Sequence, residues 1–194
     1  MRQVPDPMRV RATTPKEAKE RYRGFLQEAV SCATDSGYLR FGPAVLAGSN
    51  YVALFSEPQH MPMQTKSGEP LFLEFSQTTE LVDDTRFPGE KRLSTRAYYY
   101  GVRRDPDDLD SIISWHWGPL SDAAHPYHHI HTGVTDPLGK GKKLHIPGGG
   151  RVTLEEVIYF LIDEWDVIPA REDWQEVLKE TLARFRQFQT QDRQ

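Results

Sequence analysis

The hydrophobic period of this chain changes twice, and that change restricts the fold more than any single motif does. Near the start, Ala18, Tyr22, Phe25, Leu26 and Ala29 recur at helical spacing. Thr14-Pro15-Lys16-Glu17 supplies the cap, the proline at the first helical position and the returning carboxylate, and Asp35-Ser36-Gly37 ends the run. From about residue 40 to 118 the pattern shortens to strand length. Leu71, Leu73 and Phe75 alternate with Phe72, Glu74 and Ser76, while Tyr51–Phe55, Thr95–Val102 and Ser111–Trp117 are β-branched or aromatic runs. Asp105-Pro106-Asp107-Asp108 marks a hairpin between the last two.

Helical spacing then returns. Thr153-Leu154-Glu155-Glu156 is a second capping box, and Leu154, Val157, Ile158, Leu161, Ile162 and Trp165 form one stripe. Ile168-Pro169 breaks it, and Trp174, Val177, Leu178, Leu182 and Phe185 form another. The order predicts an α+β fold: an antiparallel meander packed by an N-terminal helix and two C-terminal helices. One domain is expected over 14–186, with a flexible tail at 1–13, a polar tail at 187–194 and a loop-rich stretch from Gly118 to Gly150.

Composition narrows the function classes. With 194 residues the chain can bury a core without staples. Its single cysteine, Cys32, excludes an internal disulfide and any cysteine-cluster zinc site. No stretch approaches the roughly 18 apolar residues of a membrane helix. The segment Met1–Pro7 has no apolar core for a signal peptide, so a cytoplasmic protein without membrane contact is expected. A net charge of −4 is the wrong sign for a dedicated non-specific nucleic-acid binder.

Six of the seven histidines lie between His116 and His145. In an extended Tyr127–His131 segment, His129 and His131 share a face with Cβ atoms roughly 7 Å apart, and His128 points the other way. Such a pair can chelate a zinc-like divalent ion, with His116 or His145 as a third ligand. The same pair suits metal-free acid–base chemistry, which this reading slightly favours because no carboxylate is evident to orient the rings. Cations for a phosphate are near in sequence: Arg103, Lys143 and Arg151, the last beside the glycine-rich start of a helix. Trp115 and Trp117 share a strand face with Ile113 and belong to the core, which sends His116 to the other face. Tyr98-Tyr99-Tyr100 reads as strand, with Tyr100 as an orienting hydroxyl for the site.

Tyr98-Tyr99-Tyr100, Asp107-Asp108, Ile112-Ile113-Ser114-Trp115 and His125-Pro126-Tyr127-His128-His129-Ile130-His131 together resemble the TumE-like group of bacterial toxin–antitoxin proteins. The likeness covers some forty residues. Ile146 to Glu155 is also similar to a glycine-rich helix start in longer uncharacterised bacterial proteins. The toxin resemblance implies a growth inhibitor acting on RNA and neutralised by a partner antitoxin, with His125, His128, His129 and His131 as the matched positions. The expected site is therefore a ribonuclease centre of His125, His129, His131 and Tyr100, with phosphate on Lys143, Arg151 and Arg103. If a metal binds, it is held by His116, His129 and His131. Two rivals stand beside it: a non-enzymatic interaction module using the sheet edge or the C-terminal helices, and a metal-dependent small-molecule enzyme with a histidine pocket.

Overall fold

The computed structural model describes residues 12–44, 50–84, 87–118, 128–135, 141–145 and 150–189; side chains of 133–135, 141–145 and 187–189 are outside that description. Helix α1 (Pro15–Val30) is followed by strands β1 (Tyr38–Pro43), β2 (Tyr51–Met63), β3 (Leu71–Asp83), β4 (Lys91–Arg103), β5 (Ile113–Trp117), β6 (His129–Thr135) and β7 (Gly141–His145), then by helices α2 (Leu154–Glu164) and α3 (Trp174–Gln189). The strands form one antiparallel sheet in sequential order, β1 to β7. This is the α+β meander with one N-terminal and two C-terminal helices that the periodicity predicts.

Two expectations need correction. The stretch from Gly118 to Gly150 is not simply loop, because it contributes β6 and β7. Its weak hydrophobic alternation concealed these strands, because histidines and lysines interrupt the apolar period of both segments. Ala12, assigned to a flexible tail, is buried and bridges Lys91 through backbone hydrogen bonds of 2.8 and 3.1 Å.

The helix ends follow their local chemistry. The Thr14 hydroxyl accepts from the Glu17 amide at 3.2 Å, with Pro15 opening α1. At α2 both bonds of the capping box form, Glu156 N–H to Thr153 Oγ1 at 3.2 Å and Thr153 N–H to Glu156 Oε2 at 2.9 Å. Caps of this kind stabilise a helix by about 1 kcal/mol.

Strand parity divides the sheet into two unlike faces. On one, Leu73, Phe75 and Gln77 of β3 meet Val102, Tyr100 and Tyr98 of β4, and these meet Ile113, Trp115 and Trp117 of β5. The helices cover this face: Trp115 packs edge-on against Phe160 of α2, and Leu26, Ile158, Leu161 and Leu178 join the same core. A polar chain runs through it. The Tyr22 hydroxyl lies 2.8 Å from both Gln77 Oε1 and Thr95 Oγ1, and the Gln77 amide donates to the Tyr100 hydroxyl at 2.7 Å. The other face carries Glu74 and Ser76, Gly101 and Tyr99, Ser114 and His116, then His131 and His129. It is the side of the antiparallel sheet left polar.

Candidate metal centre

Register brings the histidines together. His116 of β5 pairs directly with His129 of β6, and His131 lies two residues further along β6, opposite Ser114. Direct antiparallel partners and i, i+2 neighbours share a face, so the three imidazoles project side by side. Their ring centroids are 3.8 Å apart for His116–His129, 4.4 Å for His116–His131 and 5.0 Å for His129–His131. One nitrogen from each ring lies within 4.8 Å of the other two. Nitrogens on one tetrahedral zinc ion sit about 3.3 Å apart, given bonds of about 2.0–2.1 Å, so small ring rotations close the set. His129 is buried and the other two are half-buried.

The donor set fits a divalent first-row ion. Three imidazole nitrogens on neighbouring strands are the protein ligand number of a catalytic rather than a structural site.

The neighbours of the centre come from β4. Tyr99 pairs with His116, and the two rings lie 6.3 Å apart. The Tyr99 hydroxyl is 2.7 Å from Ser111 Oγ and rides over Gly101, where an added Cβ would meet that hydroxyl at 2.5 Å. Arg103, on the same side of β4, donates to the carbonyl of Asp108 in the β4–β5 hairpin and to Glu74 Oε2 at 3.0 Å. Glu74 also lies 3.6 Å from His60 Nε2.

The structure thus assembles only part of the expected site. His116, His129 and His131 converge. Tyr100 is on the opposite, helix-covered face, fully buried and stacked 4.8 Å from Tyr98, so it orients nothing at the histidines. Burial raises its hydroxyl above the ordinary range. Arg151 is also on that side: its guanidinium lies over the Tyr98 and Phe185 rings at 5.5 and 4.7 Å, away from any phosphate at the centre. Arg103 shares the histidine face, yet its guanidinium is committed to Glu74 and Asp108. Lys143 is the register partner of His131, and His145 that of His129, with both side chains outside the described ones. His125 lies outside the described residues. His128 turns to the helix side, where its Nδ1 meets the Tyr98 hydroxyl at 2.9 Å.

Sequence reasoning missed Tyr99. The available signal was parity, because a strand that buries Tyr98 and Tyr100 must present Tyr99 on the face of His116. It also missed Glu155, read there only as part of a capping box. This residue is buried in α2, with neither carboxylate oxygen hydrogen-bonded, and burial lifts its carboxyl to about 7. No protein-family model matches the chain, and no curated protein or solved structure is detectably similar to it.

Proposed function

We propose that this protein is a metal-dependent enzyme acting on a small molecule, with a divalent first-row ion of the zinc class held by His116, His129 and His131. The observation that carries this reading is the convergence of three imidazoles, one nitrogen each within 4.8 Å, on the sheet face opposite the helices. Bound there, the ion would supply Lewis acidity and a water made nucleophilic near neutral pH, the chemistry of hydrolysis or hydration at an electrophilic carbon. The strands hold the three ligands on paired backbone, His116 directly opposite His129 and His131 two residues further along β6.

The toxin reading would use the same histidines on RNA. Among the described side chains it gains little, since Arg40, Arg96 and Arg103 on this face each lie against a carboxylate, Glu57, Glu80 and Glu74. A phosphate polymer needs uncommitted cations. The test is elemental analysis and calorimetric titration of protein purified without a histidine tag. One equivalent of zinc or cobalt, lost in His129→Ala and His131→Ala, is expected. Absence of stoichiometric uptake overturns the proposal. Growth arrest on induction, relieved by the same variants with no metal bound, would replace it with the toxin.

A further inference from the structure

We propose that the cleft between α2 and α3 is a second ligand site, taking a small amine with an apolar body whose ammonium group meets the Glu155 carboxylate. The site lies among the helices and stands independently of the metal centre.

The cleft has a volume of about 470 Å³, within the range of small-molecule sites. Burial sorts its lining by depth. Glu155 and Leu178 are buried, Leu182 is half-buried, and Tyr159, Lys179 and Arg186 are exposed at the mouth. Tyr159 stands one turn after Glu155 on α2, and Leu182 one turn after Leu178 on α3, so each helix presents an i, i+4 pair to the cleft. The walls are therefore apolar, and the Tyr159 ring is backed by Trp174 at 5.6 Å.

Two carboxylates border this cleft, and they differ. Glu156 is engaged at both oxygens, Oε2 by the Thr153 amide at 2.9 Å and Oε1 by Arg186 at 3.3 Å. Glu155 is 1% exposed, and neither of its oxygens accepts a hydrogen bond. Buried acceptors normally have a donor, because leaving one unmade costs the group its full desolvation. The cleft that Glu155 lines offers such a donor a route in. An ammonium group brings three donors and the countercharge together, which neither an anion nor a purely apolar molecule does.

The charged and titratable groups around the Glu155 carboxyl are Arg151 and Glu156 at the start of α2, Tyr22 of α1, and Lys179 and Arg186 of α3. Arg151 favours its charge, but burial outweighs this and holds the carboxyl at about 7. Pairing with an ammonium ion requires the carboxylate. Amine affinity should therefore rise about 10-fold from pH 6 to pH 8, as the fraction ionised does.

Benzylamine is the probe, with benzyl alcohol as its neutral counterpart and benzoate as the anion, and binding is read from NMR shifts of the Leu178 and Leu182 methyl groups. At pH 8 benzylamine should move these methyls saturably and bind roughly 10-fold more tightly than benzyl alcohol, as for a hydrogen bond to a charged group. Glu155→Gln should erase that preference and the pH dependence, while changing benzyl alcohol affinity less than about twofold. Leu182→Trp, which fills the cleft and keeps the carboxyl, should weaken both ligands. Equal affinity for amine and alcohol in the wild type, or unchanged amine affinity in Glu155→Gln, overturns the proposal. So does benzoate binding more tightly than benzylamine, or the absence of any saturable shift at these methyls. Each of these outcomes leaves the metal centre standing, since no step of the test uses the ion.

Discussion

The two faces of the sheet are built from the same strands, residue by alternate residue, and they do opposite things with polar groups. On the helix-covered face, Tyr22, Gln77, Thr95 and Tyr100 satisfy one another in a closed chain, and Tyr98 meets His128 and the Val152 amide. Burial holds the Tyr98 hydroxyl up at about 12, and those of Tyr22 and Tyr100 also above the ordinary range, so these phenols stay neutral and structural. On the other face three imidazoles converge, with one nitrogen of each within 4.8 Å of the other two. A buried polar group has to find its partner inside the protein. The polar groups of the other face cluster by register instead, His116 against His129 and His131.

The sharpest way to break the comparison is to attack the covered face first. Leu161→Ala removes a fully buried side chain of α2 and should destabilise by about 2–5 kcal/mol, read by denaturant unfolding. Leu178→Ala in α3 belongs to the same range. Melts matching wild type would show that the helices do not close this face.

Glu155 probes the same face through pH. Its carboxyl ionises near 4.5 when free and near 7 in the fold, chiefly because of burial. Between those values the unfolded chain has released a proton that the folded protein keeps. Stability therefore falls as pH rises through that window and levels off above it. Glu155→Gln should remove this slope, with little effect at the acid end and a gain of up to about 3 kcal/mol at pH 8. An unchanged slope would place the carboxyl in water.

The open face should respond to metal instead. An ion at a hundredfold excess over its dissociation constant stabilises the fold by about 2.7 kcal/mol. That gain should vanish in His129→Ala, persist in Leu178→Ala and shrink as pH falls, because protons compete with metal for imidazole nitrogen. The smallest contrast lies between adjacent tyrosines. Tyr98→Phe loses bonds to His128 and the Val152 amide and should destabilise by about 1 kcal/mol, whereas Tyr99→Phe loses a single part-buried bond, to Ser111, and should cost less, both read from the melting temperature.

Much of the architecture was legible because it is written in local periodicity. The cap at Thr14, the capping box at Thr153, the stripes of the three helices and the alternation of Leu71, Leu73 and Phe75 need no distant partner to be read; at Thr14 only the hydroxyl half of the expected box forms, since the Glu17 carboxylate pairs with Arg21 instead. The strands β6 and β7 were less legible, since their pattern is carried by histidines and lysines that give no hydrophobic period. The site was half legible. His129 and His131 share a face by spacing alone, and Trp115 and Trp117 in the core already send His116 outward.

What the amino-acid sequence determined by itself is therefore which elements form and which way each side chain points from its own strand, because both depend on the next few residues. Only the tertiary structure decided which strands lie side by side and in what register. That pairing set His116 against His129 and put Tyr99, rather than Tyr100, beside them. It also moved Arg151 to the far side of the sheet and enclosed Glu155 in the core. A one-residue change of register would exchange the faces and scatter the histidines. Register is fixed by the burial of Phe75, Tyr100 and Trp115 against the helices, a long-range condition that no local window of sequence contains.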